Sequence, residues 1–369
     1  MQTDRARSAT ALAPRGELLQ AKRLDALAAS CLDRRIVLPA PFYPTPVRAC
    51  PELSHARAEL WLKDDGHCHA IYGGTKVRKA ERLLAEAERR GAKRILSFGA
   101  AGSHHLLTVT MFARAAGIES AALVFPQPRT THALDTLRAA IGLGLQAHPA
   151  RHAALIPGLL PGVFRPGDYL IAPGGSNAIG ARGCADAVDE LAQQIATGAL
   201  PSPDLIVVPL GSGGTCAGLA AGIVARGLTC RVLGVQVVGG VGPRLAARYL
   251  ARRALQLSGA SKHHALLATR LSFDESQVGP GYGASSPAGT RATEIARGIG
   301  LALDQTYTAK AFARVLQLLD TASGSDAARL GRPQRILYWH TLSATSLEPL
   351  LSGAPSESEL PDSVRRLLR

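Results

Sequence analysis

The stretch Asp204–Gly227, DLIVVPLGSGGTCAGLAAGIVARG, limits this chain to few folds. An apolar run of strand length passes through a glycine-rich turn straight into a helical pattern of small and apolar residues. That is the signature of a buried strand feeding a helix, as in the βαβ units of a parallel sheet. The pattern recurs along the chain. RILSFGA (94–100) turns at Gly102-Ser103-His104 into a helix ending at Gly117, SAALVFP (120–126) leads to THALDTLRAAIGL, and DYLIAP (168–173) leads to GGSNAIGARGCADAVDELAQQI. ELWLK (59–63), 230–238 and RILYWH (335–340) add further strands, whereas 239–280 reads as largely helical. The expected fold class is therefore α/β, with open, mainly parallel sheets flanked by helices.

The glycine loop also has a chemical reading. Successive glycines let backbone N–H groups of Gly211, Ser212, Gly213, Gly214 and Thr215 converge at a helix N-terminus, where the dipole and two hydroxyls favour an anion. No lysine follows the last glycine, so it is not a P-loop. A dinucleotide fingerprint would need glycine at Cys216 and an acidic residue about 20 positions on, and both are missing. A small monophosphate fits better than a dinucleotide. The plainer alternative is a tight turn that packs helix on strand.

A second stretch, YGGTKVRK (72–79), sets two glycines before Lys76 at the start of a helical pattern (Val77, Ala80, Leu83, Leu84, Ala87). The positive end of a helix dipole lowers the affinity of an amine for its proton, and a neutral lysine is a nucleophile able to form a Schiff base. A solvated loop lysine is the alternative. The chain has only seven lysines, and Lys76 alone stands behind a glycine pair. A poised lysine plus a monophosphate site points to pyridoxal phosphate, whose aldehyde needs the one and whose tail needs the other.

Other classes fit poorly. The net charge of +14 comes from scattered arginines without a basic run, and aromatics are 4% of residues, which argues against a nucleic-acid surface. No apolar run reaches membrane-span length. The six cysteines lack paired spacing, and His67-Cys68-His69 lacks a second ligand pair at zinc spacing, so reduced thiols, a polar loop and a cytoplasmic location are expected. Residues 1–35 are basic, but Asp4, Glu17, Asp25 and Asp33 argue for an N-terminal arm rather than an organelle leader.

Several motifs stand in a fixed order: YPTPV, LKDD, YGGTKVRK, PGGSNAIG, VVPLGSGGTCAGL, GPGYG, LDQTYTAKA and a final HT. From about Tyr43 to about Thr341 the chain resembles the 1-aminocyclopropane-1-carboxylate deaminase and D-cysteine desulfhydrase family, pyridoxal-phosphate enzymes of fold type II, the tryptophan-synthase-β-like fold. The resemblance implies that Lys76 holds the cofactor covalently and that Gly211 to Thr215 bind its phosphate. It implies that Ser103 meets the substrate carboxylate, that Tyr282 and Tyr307 face substrate and cofactor, and that Thr308 partners the pyridine nitrogen. It further implies a homodimer and two domains, a small one over 79–188 and a large one formed by 36–78 plus 189–369.

This chain departs from the family pattern at Thr75, where GGNK is usual, at His104, where an asparagine contacts the cofactor ring, and at Leu342-Ser343, where HTGG is usual. Thr308 and Thr341 match the desulfhydrase branch rather than the ring-opening deaminases. The resemblance thus implies a lyase that performs α,β-elimination on a small amino acid, with Lys76 as base, giving a 2-oxo acid and ammonia. Ring opening, β-replacement and racemisation are alternatives on the same scaffold. Another class is a catalytically weak cofactor-binding protein, signalled by His104 and the lost HTGG. A nicotinamide oxidoreductase would leave YGGTKVRK unexplained.

Overall fold

The computed structural model describes residues 40–322 and 332–368, and the arm expected over 1–35 lies outside them. Two sheets organise the chain. Strands β1 (Val47–Ala49), β2 (Ala58–Asp64), β7 (Leu205–Leu210), β8 (Arg231–Gln236), β9 (Leu271–Asp274) and β10 (Gln334–His340) form the larger, in the order β1-β2-β10-β7-β8-β9. Only β1, at its edge, runs antiparallel to its neighbour. The smaller sheet holds β3 (Arg94–Ala100), β4 (Glu119–Phe125), β5 (Leu145–Pro149) and β6 (Asp168–Leu170), all parallel, in the order β5-β4-β3-β6.

Helices connect and cover these strands. They are α1 (Thr75–Arg89), α2 (His104–Ala115), α3 (Thr131–Gly142), α4 (Ile156–Val163), α5 (Ala178–Ala196), α6 (Gly214–Arg226), α7 (Gly242–Leu257), α8 (Leu267–Arg270), α9 (Pro287–Gly298), α10 (Thr308–Thr321), α11 (Glu348–Leu351) and α12 (Asp362–Arg365). The strand periodicity of two decides which face each residue serves. On β7, Ile206, Val208 and Leu210 join the core under α5, α6 and α7, while Leu205 and Val207 join the core under α9 and α10. Leu337 and Trp339 divide from Ile336 and Tyr338 on β10 in the same way. Every residue of β7 is buried, which is why its sequence is continuously apolar. In the smaller sheet, Ala122 and Val124 face α2 and α3, and Leu123 faces α4.

Two features differ from the sequence reading. Within 239–280 a fifth parallel strand of the larger sheet, β9, runs alongside β8; at four residues it carries no periodic signal of its own. The C-terminal stretch, assigned by sequence to the large domain, packs on the smaller sheet's side. Leu350, Leu360, Val364, Leu367 and Leu368 share a core with Leu137 on α3 and Leu145 on β5, and Gln127 N–H donates to Leu367 O at 3.0 Å.

The turn from β2 into α1 rests on one buried carboxylate. Asp65 is fully buried and accepts from Arg78 Nη2 (2.7 Å) and Nε (3.0 Å), Thr75 Oγ1 (2.9 Å), Thr45 Oγ1 (3.1 Å) and Trp339 Nε1 (2.9 Å). Burial would raise this carboxyl, but the Arg78 guanidinium, with Lys63 and the Trp339 N–H, outweighs it and holds the group below the usual range. Arg78 Nη1 reaches Glu190 on α5 at 2.9 Å, and Glu190 also accepts from Lys63, so two cations meet two anions. Gly74 lets the chain enter α1: its φ is +93°, and a β-carbon there would stand 2.7 Å from Thr341 O.

Asp65→Asn keeps the side chain's shape but removes one of the two carboxylates against Arg78 and leaves Glu190 to balance both buried cations, Arg78 and Lys63. Removing one member of a buried pair costs about 3–5 kcal/mol. A urea titration should show a loss of that size; a loss below about 1 kcal/mol would mean that the network is dispensable.

Candidate active site

The carboxyl ends of β2, β3, β7 and β10 converge on one cavity of about 670 Å³, the position where open α/β sheets bind ligands. Lys76 enters it from the first turn of α1, the glycine loop from the end of β7, Ser103 and His104 from the end of β3, and Thr341 to Ser343 from the end of β10. The last segment braces the lysine turn: Thr75 N–H donates to Thr341 O at 3.2 Å, and Gly73 N–H to Ser343 Oγ at 3.0 Å.

Burial lowers the Lys76 pKa to about 7, and the neighbouring Lys79 ammonium adds to the fall, while Asp304 partly opposes it. Lys79 is itself buried, donates to Gly174 O at 3.2 Å, and is pushed down mainly by burial. Sequence reading missed Lys79; its spacing of three from Lys76, which puts both on one helical face, was the available signal. Two amines near one cavity suit an anionic ligand, since the carboxylate that lines it, Asp304, already accepts from backbone N–H groups and from Thr308.

The glycine loop supplies the complementary cradle. Gly213 is the N-cap of α6 with φ +93°, and no acidic residue occupies the helix's first turn. That turn leaves amide protons without intrahelical acceptors, facing the cavity under the helix dipole. A β-carbon on Gly214 would stand 2.5 Å from Ser176 Oγ and 2.9 Å from Lys79 Nζ, so only glycine keeps the cradle open beside that ammonium. Ser176 Oγ accepts from Gly214 N–H at 3.1 Å and meets Ser212 Oγ at 2.7 Å, which orders the loop. Donors, dipole and ammonium together fit a phosphate monoester, and Lys76 in the same cavity fits an aldehyde.

The opposite wall carries the tyrosines. Tyr282 OH and Tyr307 OH are 2.7 Å apart, with rings edge to face at 5.7 Å. Burial pushes Tyr282 up to about 12 and raises Tyr307 further, so both stay neutral phenols. Lys310, fully buried on α10, donates to Val278 O (2.8 Å) and Gly281 O (2.7 Å) and so anchors the GPGYG loop that carries Tyr282. Ser103 caps α2, accepting from Leu106 N–H at 3.4 Å, and its side chain lines the cavity.

Thr308 lies elsewhere. It is buried at the start of α10, outside the cavity lining, and its hydroxyl donates to Asp304 Oδ2 at 2.7 Å. Asp304, which does line the cavity, also accepts from the backbone N–H of Thr306, Tyr307 and Thr308. The sequence reading passed over Asp304, although an aspartate ahead of a helix is a capping signal. His67-Cys68-His69 forms a turn: Cys68 Sγ donates to Gly74 O at 3.4 Å, and His69 Nδ1 accepts from Ile71 N–H at 3.2 Å.

Fold and site together define a pyridoxal-phosphate-dependent enzyme. Residues 39–341 match the family described as "Pyridoxal-phosphate dependent enzyme", and the chain belongs to it. Among its relatives are a nocardicin C-9′ epimerase of Nocardia uniformis subsp. tsuyamanensis, 30% identical and covering 86% of this chain and 96% of that one. A D-cysteine desulfhydrase of Salmonella paratyphi C (strain RKS4594) is 31% identical, covering 82% and 93%. A crystal structure of an ACC deaminase homologue superposes with a TM-score of 0.67 at 26% identity, covering 88% of this chain and 98% of the other. The processed form of threonine deaminase isoform 2 from Solanum lycopersicum, at 13% identity and a TM-score of 0.55, shares the fold.

Two outcomes follow. Only the neutral Lys76 amine attacks an aldehyde, so the rate at which cofactor-free protein takes up pyridoxal phosphate should rise with pH through about 7 and then level off. A rate still climbing at about pH 9, as for an ordinary lysine, would contradict the lowered pKa. Lys310→Met removes a charged donor from two buried carbonyls and should cost about 1–3 kcal/mol in denaturant titration while the cofactor's visible absorbance band persists.

Proposed function

We propose that this enzyme is a lyase that performs α,β-elimination on a small amino acid with a thiol or similar β leaving group. With cysteine, elimination followed by hydrolysis would consume one water and form pyruvate, hydrogen sulfide and ammonia; relatives named D-cysteine desulfhydrase support this reading. The observation that carries the reading is a single cavity holding a lysine with a pKa near 7 between an anion cradle and a hydrogen-bonded pair of phenols.

Pyridoxal phosphate, when bound, supplies the electron sink for the pair left on the substrate α-carbon. The chain's residues do the rest. Gly211, Ser212, Gly213, Gly214 and Thr215, with Lys79 beneath them, hold the phosphate. Lys76 anchors the aldehyde and, displaced by the substrate amine, takes the α-proton through Nζ; a pKa near 7 suits a base that must both accept and return that proton. Ser103 and the α2 amides it leaves free receive the substrate carboxylate. Tyr282 and Tyr307 share one hydrogen bond, so either phenol can hand a proton to the departing group while its neighbour stabilises the resulting oxygen. Thr308 acts at second hand: its hydroxyl fixes Asp304, whose carboxylate borders the cavity.

A second reading is exchange of the α-proton without loss of a leaving group, favoured by the epimerase among the relatives. The proposal includes a cytoplasmic homodimer. Among the described residues five cysteines are buried and free, which suits a reducing compartment, and exposed Val241, Leu245 and Tyr249 form an apolar row along α7 at spacings of four.

The test starts with visible spectra of wild type and Lys76→Ala supplemented with pyridoxal phosphate. Wild type should show a band that borohydride bleaches, and the variant should lack it. D- and L-cysteine, serine and 1-aminocyclopropane-1-carboxylate are then scored for 2-oxo acid, with D-cysteine expected to lead. A bleachable band with no 2-oxo acid from any of them, but deuterium uptake at the α-carbon, would replace elimination by the second reading.

A further inference from the structure

His104 borders the catalytic cavity, and its imidazole can accept a proton at one atom and release another at a second. Its two ring nitrogens both have partners. Nδ1 meets the hydroxyl of Tyr72, and Nε2 lies 3.0 Å from Nε2 of His132. Tyr72 is 2% exposed, His104 is half-buried and His132, in the first turn of α3, is exposed. Tyr72 and His104 line the catalytic cavity, and His104 and His132 line an adjoining cavity of about 820 Å³. The three groups therefore run in hydrogen-bond contact from the reaction chamber to the surface.

We propose that Tyr72, His104 and His132 form a proton relay between the catalytic cavity and solvent. The proposal rests on the cavity being the reaction chamber, as read above, and not on which leaving group departs. Only one proton fits between two Nε2 atoms at 3.0 Å, since two N–H groups would collide and two lone pairs would repel. Burial raises the Tyr72 phenol, so it keeps its proton and donates to Nδ1. Neutral His104 then carries its own proton on Nε2 and donates to His132, an exposed residue whose proton then sits on Nδ1.

Export of a proton follows atom by atom. A cavity donor protonates the Tyr72 oxygen, whose original proton passes to His104 Nδ1. The proton on His104 Nε2 passes to His132 Nε2, and His132 Nδ1–H is released to water. Three bonds form within the relay and three break; one proton enters and one leaves, and every group ends neutral. The new state has the opposite tautomers, and running it backwards delivers a proton to the cavity. The groups facing His104 are Tyr72 and Lys76 from the α1 side, His132 on α3 and Asp304 before α10. Burial, with His132 and Lys76, lowers its pKa to about 4 against the pull of Asp304. The neutral imidazole is thus the resting form, as the tautomer exchange requires.

The experiment uses the holoenzyme labelled with ¹⁵N-histidine, alongside His132→Ala and Tyr72→Phe. The relay predicts a through-hydrogen-bond coupling between Nε2 of His104 and Nε2 of His132, absent from the alanine variant. It also predicts that His132→Ala lowers kcat by about 10²-fold with KM unchanged, and that added imidazole restores it. Wild type should ignore imidazole, and Tyr72→Phe should lose rate, because phenylalanine has no exchangeable proton to link the cavity to His104. An unchanged kcat in His132→Ala, or a loss that imidazole leaves in place, overturns the proposal. So does absence of the coupling in wild type. The coupling is read without turnover, so it decides the relay even if no panel substrate is eliminated and the lyase reading falls.

Discussion

The buried carboxylate of Asp65 is the interaction on which the rest of the site depends. Both of its oxygens are spent, and its donors come from β10, from α1 and from the segment before β1. A charge so deep survives only because Arg78 lies against it with matching geometry. The backbone takes part too: Asp65 O accepts from Gly74 N–H at 2.8 Å, so the same residue fixes the glycine that opens α1. Two residues later comes Lys76. Its position is set by a network centred on a carboxylate that does not line the cavity, and these polar groups hold a backbone still.

Charge then sorts the cavity into regions. The anion cradle and Lys79 sit on the α6 side, the neutral phenols on the wall formed by Tyr282 and Tyr307, and Lys76 between them. Lys76 is kept near the point of losing its proton by desolvation and by a second ammonium that is tied to a carbonyl and cannot turn away. Fixed dipoles and hydrogen bonds already in place mean that little has to reorganise when charge develops on a ligand.

Much of this was legible in the chain itself. Strands buried on both faces, β3, β7 and β10, announce themselves as continuous apolar runs, and the glycine turns after β7 and before α1 mark the two halves of the site. What stayed hidden depends on partners distant in sequence. Strands β1, β5 and β9, of three to five residues, owe their conformation to a neighbouring strand rather than to a pattern of their own. Lys310 looks like any helix lysine until the carbonyls of Val278 and Gly281 are seen around it. Thr308 sits inside a recognisable motif, yet its hydroxyl turns inward to Asp304, a choice made by local capping geometry. His132 lies 28 residues from His104, and no spacing rule links them.

The packing of the C-terminal leucines on α3 and β5 has a consequence for biosynthesis. The strands of the smaller sheet are complete by Leu170, but the apolar face that Leu350, Leu360, Val364, Leu367 and Leu368 cover waits for residues made about 200 positions later. At about 5–20 residues per second that interval is roughly 10–40 s, during which a finished sheet keeps one flank wet beside the ribosome. The order of translation therefore leaves the half of the molecule that carries Ser103 and His104 to be sealed last, after the glycine loop and α6 have already emerged.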